Sequence, residues 1–362
     1  MRRLLFGLTL CALTAQASFA QSIAPEVFRA LQTAQAAQQS GNFAQAEQAL
    51  KSVTAKPESL EQALLWRSAG YLAWAQGNTQ QALNMLEQAL RSDQLTPEQV
   101  AEDRLNLAKL SFSLKNYQHV HAYLQGVAVT DEILELQIQA WQNLGRLDKA
   151  LPLAERYLQG KSTISESWLQ FMVAANAEVK HYAAAQQWQK RILQRNPNQL
   201  RAWQQLAALQ QMAGNYAQAL ATLRTAYSKG ITFQAADLDR LIALAAASEQ
   251  PWQAARLLAG MLQHGILPTS LSSQERLAQL HWQAREYQAA AQQYAELAQQ
   301  SGKGQHWLSL AQLEIQQSRW DAGLQALKRA EQAGADQQQI AAWRDWAQSR
   351  IALHQQLAEK SS

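Results

Sequence analysis

Residues 66–90 read WRSAGYLAWAQGNTQQALNMLEQAL, and this stretch decides the fold. Aromatic and small residues stand at helical spacing before Gly77, and Ala82 and Leu86 stand at helical spacing after it. Glycine readily adopts the left-handed conformation that ends a helix, so Gly77 predicts a turn between two helices. Gly70 and Ala82 are small enough for the two backbones to approach closely. The stretch therefore predicts one tightly packed helix–turn–helix unit.

The same pattern recurs nine times along the chain. In each copy an anchor residue, usually aromatic or bulky, follows a polar or glycine-containing turn, and in most copies a small residue stands three positions later. The anchors are Phe43, Thr79, Tyr117, Leu147, Tyr182, Tyr216, Trp252, Tyr287 and Trp320. Successive anchors are separated by about the 34 residues that one helix–turn–helix repeat occupies. The spacing predicts an all-α solenoid in which neighbouring repeats stack on one another.

The sequence divides into four segments. Residues 1–20 have a basic start, a short apolar run and small residues at Ser18 and Ala20, which is typical of a signal peptide cleaved after Ala20. The alternative is a retained membrane anchor, but the apolar run is short for a membrane span. We expect the solenoid over 21–335, a C-terminal capping helix over 336–358 and a tail over 359–362. The mature chain is then expected to be periplasmic, with no integral membrane segment.

The composition limits the partners. The full chain has a formal net charge of +4, which falls to +2 when Arg2 and Arg3 leave with the signal peptide. No run of Lys and Arg is dense enough to predict nucleic-acid binding. The single cysteine, Cys11, also lies in the signal peptide, so the mature chain can form no disulfide. Stability must come from packing.

Motifs of catalysis and metal binding are missing from the sequence. His119 and His121 are two positions apart, which points them to different sides of one helix and disfavours shared metal binding. The acidic group Asp131, Glu132 and Glu135 opens a predicted helix, where negative charge is favourable. We expect no catalytic residue, no cofactor and no metal. The alternatives are an enzyme site built from side chains of the groove, or a subunit that recruits a catalytic partner.

Over residues 27–333 the repeat resembles the tetratricopeptide repeat, with Trp, Leu-Gly and Tyr in its first helix and Ala, an aromatic or Leu, Ala and Pro in its second. Trp203, the turn at Gly214 and the helix from Tyr216 show the pattern well. The third copy departs from it, because Lys115 and Val120 replace the expected Gly and Ala. The resemblance implies a right-handed superhelical solenoid of about nine repeats.

In a tetratricopeptide solenoid the first helix of each repeat lines a concave groove. Residues of these helices that point away from the second helix are candidate partner contacts. They are Trp74, Phe112, Arg201, Gln204, Arg240, Gln279, Trp282 and Gln312. A lining rich in glutamine and weakly charged favours an extended or helical polypeptide held by apolar contacts and amide hydrogen bonds. The alternative is that the aromatic candidates belong to the core.

Three stretches resemble a narrower group. They are 70–77 with its helix through Leu90, 202–230, and 254–258 followed by His264-Gly-Ile-Leu. They are similar to exported tetratricopeptide proteins of Gram-negative bacteria described as components of a TonB transport system. That resemblance implies a periplasmic accessory to TonB, ExbB and ExbD, with no catalytic residue to carry over. The alternative is an envelope-biogenesis or secretion factor that holds outer-membrane or exported polypeptides.

Overall fold

A computed structural model describes the backbone of residues 23–361 and side chains through 357. The predicted signal peptide lies outside the described residues. Within them the chain forms helices and no strand. The helices are α1 Pro25–Gln39, α2 Phe43–Lys51, α3 Leu60–Ala75, α4 Thr79–Arg91, α5 Pro97–Ser113, α6 Tyr117–Tyr123, α7 Asp131–Asn143, α8 Leu147–Leu158, α9 Glu166–Glu178, α10 Tyr182–Arg195, α11 Leu200–Met212, α12 Tyr216–Ser228, α13 Ala235–Ala247, α14 Pro251–Gln263, α15 Leu271–Gln283, α16 Tyr287–Ser301, α17 Gly304–Gln316, α18 Trp320–Gln332 and α19 Gln337–Ser361.

These helices form two compact units, Met1–Lys180 and His181–Ser362. The first unit contains α1 to α9, and the second contains α10 to α19. We call the odd-numbered helices α1 to α17 the A helices and the even-numbered helices α2 to α18 the B helices. Within each unit an A helix packs against the B helix that follows it. The boundary lies in the turn between α9 and α10, so the expected single solenoid over 21–335 stays a prediction.

Every A-to-B turn places one residue at positive φ, two positions before the B helix begins. Glycine occupies this position in four turns, at 41, 77, 145 and 214. The other five turns use Lys115, Lys180, Glu249, Arg285 and Ser318. The turn geometry is therefore the same throughout, and the sequence keeps the preferred residue in only some of the repeats.

The turn in the seventh repeat corrects one anchor. Glu249 takes the positive φ and α14 begins at Pro251, so Pro251 occupies the anchor position. Trp252 lies one position later and is 44% exposed. Tyr216 occupies the anchor position of the sixth repeat and is also exposed, by 43%. These two aromatics are therefore exposed and do not belong to the core.

Close backbone approach explains the small residues between paired helices. A Cβ built on Gly70 in α3 would lie 2.9 Å from Cγ of Leu86 and 3.3 Å from the carbonyl oxygen of Ala82. Ala82 and Leu86 are fully buried. The expected role of Gly70 as a contact point between the helices of its repeat agrees with this geometry.

The last helix covers the end of the second unit. Ile340 and Ala347 of α19 are buried in one apolar cluster with residues of α17 and α18, and Trp343 packs at its edge. From residue 352 to 357 every side chain is exposed. Only the first part of α19 therefore contributes to the core.

Candidate functional site: the A-helix faces

A buried polar network joins two A helices of the first unit. The Nε atom of Arg67 in α3 donates to both carboxylate oxygens of Asp103 in α5, at 2.8 and 2.9 Å. The Tyr71 hydroxyl also donates to Asp103 and accepts from the Asn106 amide at 2.9 Å. The guanidinium of Arg67 makes a second ion pair with Glu102. The network fixes the two helices relative to each other through charge-assisted hydrogen bonds.

Burial controls the protonation of this network. Asp103 is fully buried, and its burial raises the pKa of the carboxyl although Arg67 opposes the change. Burial also raises the pKa of the Tyr71 hydroxyl, so this group stays protonated and acts as a donor. A buried carboxylate needs its partners, since an unpaired charge in the interior is costly. The arrangement is that of an interhelical ion pair.

Further polar contacts join neighbouring A helices in each unit. In the first unit, Nζ of Lys109 in α5 lies 2.6 Å from a carboxylate oxygen of Glu132 in α7. The second unit continues in the same way. Its three contacts are Gln204 to Asp237 at 2.6 Å, Arg276 to Asp239 at 2.8 Å, and Nε2 of His306 to Glu275 at 3.7 Å. Two of these contacts, Lys109 with Glu132 and Arg276 with Asp239, pair opposite charges. We call the whole series of contacts, together with the Arg67–Asp103 network, the A-helix ladder.

The eight candidate groove residues fall into three kinds of environment. Arg201, Arg240 and Gln279 are exposed on α11, α13 and α15. Gln204 is partly buried and donates to Asp237, so its amide already belongs to the ladder. Gln312 of α17 is partly buried.

The three aromatic candidates are partly buried and pack against core clusters. Trp282 meets Tyr294 edge-on, with ring centroids 5.9 Å apart. Phe112 meets Tyr117 in the same way at 5.3 Å, and Trp74 packs beside the cluster around Leu86. The structure brings Gln279, Trp282 and Gln312 onto neighbouring A helices of the second unit, while Trp74 and Phe112 lie in the first. Which of them contact a partner stays a prediction.

The sequence alone does not reveal the contact of Asp103 with Arg67. In the sequence it stands beside Glu102 in a polar helix and resembles a solvated surface residue. The available signal was its separation of 36 residues from Arg67, about one repeat length, which places the two side chains at neighbouring levels of adjacent A helices.

Histidines and carboxylates give no metal site in the part of the chain that the structure describes, where no three His, Cys, Asp or Glu residues come together. His121 instead stacks on Trp141, with ring centroids 3.7 Å apart and an interplanar angle of 15°. Burial lowers the pKa of the His121 imidazole to about 4. This histidine is therefore neutral at pH 7 and part of the packing.

Comparison with known proteins agrees with the repeat architecture. The tetratricopeptide repeat family model matches residues 31–78, 67–118 and 275–338. These segments carry tetratricopeptide repeats, and they lie in both compact units. The expected all-α fold of stacked helix–turn–helix repeats is confirmed. No curated protein matches this chain. In residues 23–361 no helix is both long enough and apolar enough to span a membrane.

Several solved structures are similar to this chain at low sequence identity. A tetratricopeptide repeat protein from Parabacteroides merdae is 17% identical with a TM-score of 0.34, covering 80% of this chain and 99% of that chain. The TPR2AB-domain:pHSP90-complex of yeast Sti1 is 14% identical with a TM-score of 0.36, covering 72% of this chain and 98% of that chain. The structure of Naa15/Naa10 bound to HypK-THB is 15% identical with a TM-score of 0.42, covering 86% of this chain and 42% of that chain. Similarity at this level says nothing about the partner.

Proposed function

We propose that this chain is a non-enzymatic periplasmic scaffold whose A-helix faces bind a polypeptide of a TonB-dependent uptake system. Tetratricopeptide repeats form protein–protein interaction scaffolds, and the chain carries such repeats in both units. The observation that carries the proposal is the A-helix ladder. The ion pairs Lys109–Glu132 and Arg276–Asp239 offset charge on these faces, and the exposed Gln279 and the aromatic edges remain to meet a ligand. Such a surface suits a neutral, extended or helical segment.

The TonB assignment is supported by the sequence resemblance. The stretches 70–90, 202–230 and 254–258 with 264–267 resemble exported proteins of that transport system, and residues 1–20 have the pattern of a signal peptide. An accessory of this kind needs a protein-binding surface and no catalytic group. TonB, ExbB and ExbD are therefore the first partners to test.

Site-specific photo-crosslinking in cells tests the proposal. A photoreactive amino acid replaces Gln279, which is exposed on the A helix α15. The matched control is Gln299, an exposed glutamine on the B helix α16 of the same unit. We expect adducts from position 279 and none from position 299, with TonB, ExbB or ExbD identified by mass spectrometry.

Other results would overturn all or part of the proposal. Adducts from 279 to outer-membrane precursors would replace the TonB assignment by a role in envelope biogenesis. Adducts from 299 alone would show that the B-helix face binds the partner. Recovery of the chain in the cytoplasm with residues 1–20 intact would contradict the periplasmic location.

A further inference from the structure

Three successive B helices of the second unit carry positive charge and no negative charge. They are α10, α12 and α14. Residues 182–195, 216–230 and 251–264 contain no Asp or Glu. Their cations, with Lys229 counted because it directly follows α12, are Lys190, Arg191, Arg195, Arg224, Lys229 and Arg256. We call these six residues the basic B-helix face. Against a net charge of only +4 for the whole chain, this is a strong local concentration.

Register places these cations side by side. The buried alanines at 185, 219 and 254 mark equivalent points of the three helices. Five positions later stand Lys190 in α10 and Arg224 in α12. Ten positions later stand Arg195, Lys229 and His264. Lys190 is partly buried, and the other five members of the face are exposed. The cations are distant in sequence, which is why no basic run marks them, but the repeat brings them onto one face.

Two B helices of the first unit, α2 and α4, place an acid of the same helix beside their C-terminal cation. Cations near helix C-termini are stabilising because they oppose the helix dipole. On α2 and α4 that role falls to Lys51 and Arg91, and each pairs with a glutamate one turn earlier, at 2.5 and 3.0 Å. Lys229 has Thr225 at that position. The cations of the basic B-helix face therefore have no acid of their own helix beside them.

Exposed aromatic residues accompany the cations. Trp252 and Tyr216 are more than 40% exposed at the starts of α14 and α12. The guanidinium of Arg256 lies over the Trp252 ring at 5.3 Å, and that of Arg191 lies over Trp188 at 4.4 Å. The nearest carboxylate to Arg256 is that of Glu286, at 3.8 Å. Arginine, lysine, tryptophan and tyrosine are the residues that proteins place at a membrane interface.

We propose that the basic B-helix face docks on a membrane surface that carries anionic phospholipid. Charge complementarity requires a negative partner. The cations spread both along the helices and across three of them, which suits a broad charged surface better than a single polypeptide strand. No carboxylate on these helices opposes the approach of phosphate headgroups. The assignment does not depend on the partner of the A-helix faces, which lie on the other helix of each repeat.

Vesicle co-sedimentation tests the docking. The full chain is mixed with phosphatidylcholine vesicles with and without phosphatidylglycerol, and the phosphatidylcholine vesicles report any binding through the apolar run of residues 4–15. We expect phosphatidylglycerol to strengthen binding and salt to weaken it. In the triple variant Lys190→Gln, Arg224→Gln, Lys229→Gln the gain should fall on the order of 100-fold, because each Lys or Arg contributes roughly fivefold.

A second triple variant provides the matched control. Lys51→Gln, Arg91→Gln, Arg156→Gln removes the same charge from exposed B-helix positions of the first unit, each beside a glutamate of its own helix. It should keep the gain, and circular dichroism should show both variants folded. Equal loss in the two variants would overturn the proposal, as would the absence of any phosphatidylglycerol effect. Binding to poly-L-glutamate without binding to vesicles would assign the face to an acidic polypeptide instead.

Discussion

At the scale of single residues, five non-glycine residues occupy turn positions that favour glycine. Lys115 has a φ of 63° and Ser318 a φ of 59°. An L-residue in the left-handed region is less stable there by roughly 1–2 kcal/mol, and glycine avoids this cost while losing more entropy on folding. The turns are held in place by the helices that they connect.

Substitution of Lys115 by glycine should stabilise the first unit. We expect the free energy of unfolding to rise by about 0.5–1 kcal/mol, because the strain is removed at a modest entropic cost. The converse change, Gly77→Ala, should lower it by about 1 kcal/mol. A Cβ at Gly77 meets no atom within 4 Å, so this second effect reports φ alone. Thermal denaturation of both variants gives the measurement, and opposite signs are required.

Protonation of His121 should make the first unit sensitive to acid. The folded-state pKa of about 4 lies below the ordinary value of 6.5, so the neutral ring contributes stability above pH 6.5 that is lost as pH falls towards 4. Between pH 7 and pH 5 the loss should be about 1–2 kcal/mol. His121→Phe keeps an aromatic ring on Trp141 and should reduce the pH dependence of urea unfolding. His119→Gln removes the neighbouring exposed histidine and serves as the matched control.

At the scale of helices, some glycines lie where two backbones approach closely, and others lie in open space. A Cβ on Gly304, the first residue of α17, would lie 2.6 Å from the amide nitrogen of Ala335 and 2.8 Å from the carbonyl oxygen of Ala333. The loop before α17 therefore ends at Lys303, and Gly304 already belongs to the helix. Gly260 in α14 has no atom within 4 Å of the same position.

These two glycines predict opposite results for one substitution. Gly304→Ala should lower the free energy of unfolding by about 1–3 kcal/mol, because backbone atoms cannot yield as a side chain can. Gly260→Ala should raise it by about 0.5–1 kcal/mol through helix propensity. Chemical denaturation of both variants checks the pair. Similar destabilisation by both would show that the close approach at Gly304 is absent in solution.

The ladder contacts should differ in strength according to burial. Asp103→Ala leaves the guanidinium of Arg67 without its main partner in a buried site, and we expect a loss of about 3–5 kcal/mol. Asp239→Ala removes an equivalent contact with Arg276, but both of these side chains are about one third or more exposed. Its effect should stay below about 1 kcal/mol. Equal effects, measured by urea unfolding, would contradict this view of the network.

How far the sequence predicts each element depends on the kind of contact. The spacing of Gly77, Ala82 and Leu86 predicts helices and turns because it follows from packing within one repeat. In the seventh repeat the sequence suggests Trp252 as the anchor, one position after the true anchor Pro251. An aromatic residue is easier to recognise than the turn residue Glu249. The contact of Gly304 with residues 333–335 joins a helix to a segment about thirty positions away, which local pattern does not report. The same reason hides the partners of Asp103.

At the scale of the whole molecule, the repeat decides what the two faces can do. Neighbouring A helices bring opposite charges together at several points, whereas α10, α12 and α14 contain cations and no Asp or Glu of their own. The sequence shows both sets of residues, but only the repeat geometry separates them. Composition alone, with a net charge of +4, therefore understates how polarised the second unit is.

The C-terminal helix should be required for the second unit up to a definite residue. Ending the chain after Gly334 removes Ile340, Trp343 and Ala347 and exposes the apolar end of the stack. We expect about 3–6 kcal/mol of stability to be lost, from the burial of these side chains. Ending the chain after Ile351 removes the exposed residues 352–357 and those that follow them, and it should change the melting temperature little. Hydrogen exchange should then show faster exchange in α17 and α18 for the first truncation alone. Unchanged exchange there would mean that the solenoid end is stable without its cap.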